Sequence, residues 1–324
     1  MIVITGGAGF IGSAIIWHLN QQGIEDIIVV DDLKSDDKWK NLLGLKFEDM
    51  YTTEEFLNRV IDDNFPFFTE AIIHMGAISS TTERDMDKLL KYNYLYTKEL
   101  AKYCLPKNAR FIYASSAATY GKGEKGYNDD HSQLESLRPL NAYGYSKYLF
   151  DIWAKKEEVI DKIVGLKFFN VYGPNEYHKG DMRSVVIKAY EQVLDTAKIK
   201  LFKSYHADFK DGEQKRDFIY IKDVVKIISF FLENRTNGIF NVGTGKARTW
   251  NDLANAVFKA MDYPTRIEYI DMPESVRNQY QYFTEANITK LRNAGYTDEF
   301  TSLEDGIKDY IQNYLMQNNK HLAD

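Results

Sequence analysis

The chain has 324 residues, of which 44% are hydrophobic and 27% are charged, and this composition is typical of a globular protein with a well-buried core. The formal net charge of −6 disfavours nucleic acid as a partner, because surfaces that bind nucleic acid are basic. The single cysteine, Cys104, excludes a disulfide framework and a multi-cysteine metal site, and because no other metal-ligand spacing is visible we expect no metal.

The chain begins with the apolar segment MIVIT, which runs directly into glycines. A secretory signal would carry a basic region and a longer apolar segment before its cleavage site. No other apolar run approaches the roughly 18 residues that a membrane helix needs. We therefore expect a cytoplasmic protein with no membrane partner, and the lone cysteine suits a reducing compartment.

Short runs rich in valine and isoleucine alternate with longer amphipathic stretches in the first half of the chain. The runs at 27–32, 70–75, 110–116 and 163–173 predict buried strands. Helical patterns lie between them, and the first ends at Gly23, where a glycine commonly follows a helix. Strands that alternate with helices predict an α/β fold with a doubly wound parallel sheet.

Beyond residue 173 the sequence predicts a second, smaller lobe with polar loops. Its pattern indicates a helix at 185–196 and a short strand at 198–202, whereas 238–245 predict a strand and a turn that return to the first sheet. We therefore predict a first domain and a discontinuous second lobe, with bounds of 1–173 plus about 217–245 for the domain and 174–216 plus 246–324 for the lobe.

Gly6, Gly9 and Gly12 follow the first apolar run and open a helical pattern. Glycines at this spacing allow a tight turn and a close approach of the backbone to a diphosphate at the helix N-terminus. A P-loop is excluded because no Gly-Lys-Ser/Thr follows. The acidic pair Asp31 and Asp32 ends the next strand, where a carboxylate binds the adenosine ribose. The combination predicts a Rossmann-type dinucleotide site in the first domain.

The same region leaves the identity of the dinucleotide open. Asp31 and Asp32 would repel a 2′-phosphate, which favours NAD. Lys34 and Lys38 follow closely, and their charges could neutralise that phosphate, which favours NADP.

Tyr143 and Lys147 lie one helical turn apart, so that their side chains share a face of a predicted helix. An ammonium near a phenol favours the phenolate, and we predict that Lys147 lowers the pKa of Tyr143 towards the working pH. Such a tyrosine can move a proton to or from an alcohol while a nicotinamide carries the hydride. Ser115 or Ser116, at the end of the preceding strand, could donate a hydrogen bond to the same oxygen.

Segments along the whole chain resemble the extended short-chain dehydrogenase/reductases of the nucleotide-sugar epimerase and dehydratase superfamily, namely TGGAGFIG, VVDDL, HMGA, YASSAATYG, YGYSK, FFNVYGP and RDFIYIKDV. Within it, SSTTE, ASSAATYG, PLNAYGYSKYLFD and HKG most closely resemble the epimerases of ADP-heptose. Dehydratases of the superfamily carry Thr-Asp-Glu where this chain reads Ser116-Ala117-Ala118. Without that acid pair, the elimination of water lacks its proton donor and base.

The resemblance implies an isomerase that inverts C6 of ADP-D-glycero-D-manno-heptose, a sugar of the lipopolysaccharide core, through a 6-keto intermediate. A tightly bound nicotinamide would take a hydride from C6 and return it to the other face. Tyr143 and Lys179 are the implied acid/base groups, Ser116 would orient the reacting oxygen, and Lys147 would also bind the nicotinamide ribose. The family is oligomeric, so we expect a homo-oligomer.

The resemblance also implies two sets of contacts. The cofactor set comprises Gly6, Gly9, Phe10, Ile11, Gly12, Asp31, Asp32, Lys38, Met75, Gly76, Ala77, Ile78, Ser79, Asn93, Lys147, Val171 and Lys179. The substrate set comprises Ser116, Asn170, Asp181, Lys188, Phe202, Lys203, Ser204, Tyr205, Arg216 and Tyr280. Arg216 has the clearest physical reason, because its planar guanidinium can bind a diphosphate with two parallel hydrogen bonds.

The chain departs from the family pattern near both ligands. Asp32 stands where asparagine is common, and Thr53 where a lysine often binds the 2′-phosphate. Asp181 and Lys188 replace a common serine and histidine, and the segment 205–214 is longer than the usual loop. Because Lys38 remains, we expect NADP, with NAD as the alternative.

Two other functions fit part of the pattern. An epimerase of another nucleotide sugar, such as a UDP-hexose 4-epimerase, would share the first domain, but the HKG segment and the second-lobe contacts disfavour it. A non-catalytic dinucleotide-binding regulator would lack Tyr143 or Lys147, and both residues are present.

Overall fold

A computed structural model of the chain describes residues 1–277, 280–317 and 320–323. Its strands, in chain order, are β1 (Ile2–Thr5), β2 (Ile27–Val30), β3 (Asp49–Tyr51), β4 (Ala71–His74), β5 (Arg110–Ser116), β6 (Val164–Phe168), β7 (Asn170–Tyr172), β8 (Ile199–Phe202), β9 (Lys215–Tyr220), β10 (Gly238–Val242), β11 (Ala247–Thr249) and β12 (Ile267–Ile270).

The helices are α1 (Phe10–Gln21), α2 (Thr53–Ile61), α3 (Met86–Leu89), α4 (Tyr96–Cys104), α5 (Ala142–Lys156), α6 (Val185–Thr196), α7 (Ile221–Glu233), α8 (Trp250–Ala260), α9 (Glu274–Arg277), α10 (Thr289–Asn293) and α11 (Leu303–Tyr310). Short 3₁₀ segments include Asp37–Leu42, Ala117–Tyr120, His131–Ser136, Ile160–Lys162 and Tyr177–Met182. The π-helical segments Leu90–Leu95 and Ile311–Leu315 connect α3 to α4 and extend α11.

The main sheet has seven parallel strands in the order β10-β6-β5-β4-β1-β2-β3. The direction of winding reverses between β1 and β4, which opens a crevice at the carboxyl ends of these strands. The predicted doubly wound α/β sheet is confirmed. The last strand, β10, pairs with β6 and returns to this sheet, as predicted from its sequence.

Alternate residues of the same strands contribute to two different hydrophobic clusters. Ile4 and Ile73 lie in one cluster, and Val3 and Ile72 lie in the other. Because successive side chains of a strand point to opposite faces, the sheet is covered on both sides. Double burial explains why these strands are continuous apolar runs rather than alternating patterns.

The predicted strand 163–173 is wrong as a single element, because it divides at Phe169. The N–H of Phe169 donates to the carbonyl of Val242 (3.0 Å), and the N–H of Val171 donates to the carbonyl of Phe169 (3.0 Å). The hydrogen bond between Val171 and Phe169 joins residues i and i+2, which defines a γ-turn, and this turn changes the direction of the chain. After it, β7 leaves the main sheet and joins β9 in the three-stranded sheet β11-β9-β7.

The second half of the chain also forms a two-stranded sheet, β12-β8, and packs α8 against α6 and α11. Helix α7 packs against α1 beside the main sheet. The bounds of a separate second lobe stay a prediction. Within the described residues, no helix is long and apolar enough to cross a membrane. The same residues contain no cluster of three or more His, Cys, Asp or Glu side chains placed to hold a metal ion.

Candidate active site

The glycine-rich loop joins β1 to α1 at the reversal point of the sheet. Gly6 has a φ of +66°, which is costly for any residue with a Cβ. At Gly12 an added Cβ would lie 2.1 Å from the carbonyl oxygen of Gly6. The turn therefore brings backbone close to backbone and leaves the N-terminus of α1 open to an anion, which fits a dinucleotide diphosphate.

A cleft of about 660 Å³ lies over this loop and the ends of β2 and β4. The predicted cofactor residues that line it are Gly6, Gly9, Phe10, Ile11, Gly12, Asp31, Asp32, Lys38, Met75, Gly76, Ala77, Ile78, Ser79 and Lys179. Asn93, Lys147 and Val171, from the same predicted set, lie outside the lining. Thr5, Tyr96 and His178 line the cleft although sequence reasoning missed them.

Asp31 is the charged centre at the adenosine end of the cleft. Its carboxylate accepts hydrogen bonds from the N–H of Ala8 (3.0 Å) and from Lys38 Nζ (2.8 Å). Asp32 instead accepts from the N–H of Thr53 (2.9 Å) at the start of α2. Asp32 thus connects the cleft wall to the start of α2. Lys38 neutralises the charge of Asp31 and does not project alone into the cleft.

Tyr96 supplies an orphaned polar atom at the same end. Its hydroxyl is buried and has no hydrogen-bond partner among the described residues. The charges of Asp32 and Asp31 add to burial in raising its pKa, which places the phenol near both carboxylates. A ligand with hydroxyl groups between these carboxylates and the phenol would satisfy this atom, as a ribose does.

Two buried polar contacts fix the loop Met75–Ser79, which forms one wall of the cleft. His74 Nδ1 lies 2.6 Å from Thr5 Oγ1 and its Nε2 lies 2.9 Å from Thr97 Oγ1. Asn93 accepts from the N–H of Ile78 (2.8 Å) and donates to Ser146 Oγ on α5 (3.0 Å). The Asn93 amide therefore supports the loop and joins it to α5, which accounts for its place outside the lining.

Tyr143 and Ser116 come together at the junction of α5 and β5. The Ser116 side chain acts on the Tyr143 phenol as a hydrogen-bonding group that lowers its pKa, but burial is the larger effect and the pKa of Tyr143 is raised. Ser115 is excluded from that role because its hydroxyl donates to Asp151 (2.9 Å) on the buried side of the strand. The two serines alternate in direction, as successive residues of a strand must.

The prediction that Lys147 lowers the pKa of Tyr143 is wrong, because the pKa of Tyr143 is raised. Lys147 is only 4% exposed, and burial lowers its own pKa to about 8. The charge of Asp151 opposes that shift, and the Lys147 charge in turn contributes to the lowered pKa of His74. Desolvation at the site outweighs the attraction between an ammonium and a phenolate.

Lys179 lies on the turn Tyr177–Met182 and faces the glycine-rich loop. Its Nζ lies 5.3 Å from the centre of the Phe10 ring, the first residue of α1. Burial lowers the pKa of Lys179, while the nearby Glu176 partly restores it. A buried amine with a lowered pKa exchanges a proton more readily near neutral pH than an exposed lysine.

Asn41 is a buried junction, 2% exposed, that sequence reasoning missed. Its Nδ2 donates to the carbonyls of Ala8 (2.9 Å) and Asn175 (3.1 Å), and its Oδ1 lies 2.9 Å from His321 Nδ1. The Asn175 side chain receives the N–H of Leu322 (3.1 Å). Three distant segments thus meet beside the glycine-rich loop, a convergence with no local sequence signal.

Arg216 anchors the predicted substrate residues of the second half. Its guanidinium lies 5.2 Å from the ring centre of Tyr280 and 5.7 Å from that of Trp250. Burial lowers the pKa of Arg216, and among the described residues no carboxylate forms a salt bridge with it. A buried, stacked guanidinium without an internal counter-ion is suited to an anionic ligand.

The remaining predicted substrate residues form smaller groups. Phe202 meets the Tyr280 ring edge-on at 6.5 Å, and Tyr205 shares Asp271 with Lys203 through bonds of 2.7 and 3.2 Å. Ser204 Oγ donates to the carbonyl of His206 (3.2 Å) in the following turn.

Asp181 and Lys188, which depart from the family pattern, lie beside the turn that carries Lys179. Lys188 Nζ donates to the Asp181 carbonyl at 2.6 Å. The bond uses the main chain of residue 181, so it does not involve the unusual Asp181 side chain. Asn170, also in the predicted substrate set, is exposed at the start of β7.

Comparison with known proteins agrees with this geometry. Residues 2–243 match the NAD dependent epimerase/dehydratase family. The chain is 55% identical over 323 residues to the ADP-L-glycero-D-manno-heptose-6-epimerase of Nitratidesulfovibrio vulgaris strain Hildenborough, covering 99% of this chain and 100% of that protein.

Two solved structures extend the comparison. The ADP-L-glycero-D-manno-heptose-6-epimerase of Helicobacter pylori has a TM-score of 0.80 at 30% identity, covering 96% of this chain and 95% of that one. The UDP-glucose 4-epimerase of Thermotoga maritima has a TM-score of 0.76 at 26% identity, with coverage of 96% and 97%. On the match over most of its length, this chain belongs to the NAD dependent epimerase/dehydratase family.

Proposed function

We propose that this enzyme inverts C6 of ADP-D-glycero-D-manno-heptose to give ADP-L-glycero-D-manno-heptose, in the supply of heptose for the lipopolysaccharide core. The observation that carries the proposal is a pair of proton-transfer groups on separate elements: Tyr143 on α5 and Lys179 on the turn over the cleft. Inversion through a ketone needs a proton transfer on each face of one carbon, which two groups serve better than one. The 55% identity to a relative named for this reaction supports the substrate.

When bound in the cleft by the predicted cofactor residues that line it, a nicotinamide would supply hydride transfer from C6 and back to the opposite face of that carbon. Ser116 orients the reacting oxygen by a hydrogen bond, and Tyr143 moves the hydroxyl proton on one face. Lys179 moves the proton on the other face after the ketone has turned. The hydride is returned, so the net reaction is an isomerisation.

Lys147 supports this chemistry from the helix that carries Tyr143. Its ammonium, one turn further along α5, would hydrogen-bond the nicotinamide ribose. Its ammonium carries three N–H donors, and such a ligand could accept hydrogen bonds from them. Val171 would contact the cofactor through its backbone.

For the cofactor we propose NADP, with NAD as the alternative. The coarser assignment, a nicotinamide dinucleotide, follows from the family. The 2.8 Å salt bridge from Lys38 neutralises Asp31, and Lys34 lines the same part of the cleft, so the charge that a 2′-phosphate meets is smaller than the acidic pair alone implies. Asp32 and Thr53 offer the phosphate no cation, and this part of the cleft favours the alternative, NAD.

For the substrate we propose that Arg216 binds the diphosphate of the nucleotide sugar. Its stacked position between Tyr280 and Trp250 fixes the plane of the guanidinium, which favours bidentate binding. Phe202, at the end of β8, and Lys203, Ser204 and Tyr205, which follow it, would hold the nucleotide. Asn170, Asp181 and Lys188 would hold the sugar near Ser116.

We also propose a cytoplasmic homo-oligomer. The buried thiol of Cys104 suits a reducing compartment, and the family resemblance supports self-association. Analytical ultracentrifugation of the purified protein tests the second statement, and a single species at the 37.6 kDa monomer mass across a range of concentrations would contradict it.

A panel of nucleotide sugars tests the proposed function. The purified enzyme is incubated with ADP-D-glycero-D-manno-heptose, UDP-glucose and UDP-N-acetylglucosamine, without added cofactor, and the products are separated by chromatography. We expect inversion of the ADP-heptose alone, and denaturation of the same preparation should release NADP, identified by mass. Turnover of a UDP sugar in place of ADP-heptose contradicts the substrate, and release of NAD alone contradicts the cofactor.

A further inference from the structure

The carboxylate of Asp151 lies one helical turn beyond Lys147 on the buried face of α5. It is wholly buried and accepts hydrogen bonds from the Tyr113 hydroxyl (2.8 Å), Ser115 Oγ (2.9 Å) and Lys167 Nζ (2.6 Å). Tyr113 and Ser115 belong to β5, and Lys167 belongs to β6. One side chain thus bonds the catalytic helix to two strands.

These contacts lie directly beneath the reacting groups. Ser115 and Lys167 face each other in the register of β5 and β6, and Ser116, the next residue of β5, lies near enough to Tyr143 to lower the pKa of its phenol. Any movement of α5 away from β5 would separate Ser116 from Tyr143. The bonds to Asp151 are therefore placed to fix the contact that the proposed mechanism requires.

Asp151 is also shared between two buried cations. Lys167 is wholly buried and has neutral neighbours as well, the hydroxyl of Thr119 (2.6 Å) and the ring of Tyr120 (5.0 Å). Lys147 has less support, because among the described residues Asp151 is the only charged group that favours its ammonium form. Removal of the carboxylate would leave Lys147 without an anion that favours its charge, whereas Lys167 would still interact with the buried carboxylate of Asp129.

The other titratable groups around Lys147 do not replace this carboxylate. His74, on β4, is held neutral because burial keeps its pKa well below its ordinary value. Tyr113, on β5, has a raised pKa and donates to Asp151. Tyr143, on α5 itself, also has a raised pKa, and Tyr120 of the turn Ala117–Tyr120 donates to Asn241 (2.7 Å).

We propose that Asp151 is a positioning residue for the reaction, which holds α5 to the end of β5 and supplies the anion that keeps Lys147 a cation. The proposal rests on the proposed role of Lys147. It concerns a residue that touches neither substrate nor cofactor, and it assigns a function to a buried ion pair. Ion pairs of this kind cost much desolvation and are often replaceable by apolar groups without loss of stability.

The test is the alkaline side of the pH profile of epimerisation. In the unaltered enzyme kcat should fall above about pH 8, as Lys147 loses its proton. Asp151→Asn keeps the shape of the side chain and removes its charge, and we expect the fall to move to lower pH by roughly one unit. An unchanged alkaline limb in this variant overturns the proposal.

Two further variants keep the test decisive. Asp151→Asn with Lys167→Met removes both members of the pair, so that no buried Lys167 charge remains without its closest anion, and should show the same acid shift in a folded protein. Lys167→Met alone leaves Asp151 to Lys147 and should move the alkaline limb to higher pH. A shift to lower pH, or no shift, in this single variant contradicts the proposal even if neither variant that carries Asp151→Asn folds.

Glu135→Gln is the matched control. Glu135 bonds Lys155 of the same helix at 2.6 Å, but its side chain is 60% exposed. This substitution should leave the profile unchanged. If the unaltered enzyme does not invert ADP-heptose, the proposed function fails, whereas an active enzyme with unshifted profiles in every variant refutes only the role of Asp151.

Discussion

Burial raises the pKa of the Tyr143 phenol and lowers that of the Lys179 ammonium, so desolvation favours the neutral form of both proposed proton-transfer groups. A neutral phenol can give a proton at once, and a neutral amine can take one. The neutral phenol of Tyr143 is therefore suited to donate a proton, and the neutral amine of Lys179 is suited to accept one.

At the residue scale the structure tests the predicted protonation of Tyr143, whereas the catalytic roles of Tyr143, Lys147 and Ser116 stay predictions. Tyr143, Lys147 and Ser116 were found from a strand end followed by a helical spacing. The direction of the pKa shift was missed because the effect of Lys147 was read from proximity, whereas the depth of burial depends on the whole fold. The sequence shows that Asp151 lies one turn after Lys147, but it does not show that Asp151 bonds side chains of β5 and β6.

Tyr143→Phe removes only the hydroxyl that Ser116 contacts. We expect kcat for epimerisation to fall by about 10²- to 10⁴-fold, the usual contribution of one proton-transfer group. The cofactor content should not change, since the phenyl ring remains. Tyr145→Phe, at a tyrosine of the same helix that is 44% exposed, serves as control. Near-normal turnover by Tyr143→Phe would remove its catalytic role.

Lys179→Met keeps an apolar stem against the Phe10 ring and removes the amine. We expect a comparable loss of kcat, about 10²-fold or more, with the cofactor retained. The control is Lys198→Met, at an exposed lysine paired with Glu268. If Lys179→Met raises KM and leaves kcat unchanged, Lys179 binds substrate without moving a proton.

At the element scale, the first strand, glycine turn and helix follow directly from local rules. Gly23 has a φ of +78°, and the N–H of Ile24 donates to the carbonyl of Leu19 (3.0 Å), as expected where a glycine ends a helix. The division between β6 and β7 was not visible, because both sides of Phe169 are apolar and only the bond to Val242 reveals the turn. A local apolar pattern can predict a strand, but it cannot predict a bond to a distant residue, such as Val242, that divides the strand.

The glycine turn carries an element-scale prediction. Gly12→Ala places a methyl group where only 2.1 Å separates it from the carbonyl of Gly6, so the loop and the start of α1 must move apart. We expect the purified variant to lose most of its bound dinucleotide, measured by absorbance and by mass after denaturation. Gln21→Ala, at an exposed position of the same helix, should keep it. Full retention in Gly12→Ala would contradict the proposed diphosphate site.

At the scale of the whole molecule, distant segments converge on the cleft. The glycine-rich loop, the segment before Lys179 and residues 320–323 meet at Asn41. The sequence predicted the sheet that brings the strand ends together, and the resemblance indicated Lys179. The sequence did not predict the junction at Asn41, because a single buried amide among polar loops leaves no periodic pattern. Its hydrogen-bond partners come from distant segments that meet only in the folded chain.

Asn41→Ala tests that junction. Loss of the amide leaves the carbonyls of Ala8 and Asn175 buried without a donor, which should cost about 1–3 kcal/mol of the free energy of unfolding. We expect a lower Tm by calorimetry together with a reduced kcat, since Lys179 follows Asn175 closely. Asn58→Ala, on the exposed face of α2, should change neither. A normal Tm and kcat in Asn41→Ala would show that the junction supports neither stability nor the site.

The most direct test of the account follows the hydrogen at C6. ADP-D-glycero-D-manno-heptose carrying deuterium at C6 is incubated with the enzyme in ordinary water, without added cofactor, and the L-epimer is analysed by mass and NMR. Because the same hydride is removed and returned inside the site, we expect the product to retain deuterium at C6. Loss of deuterium to the solvent would contradict inversion by transient oxidation.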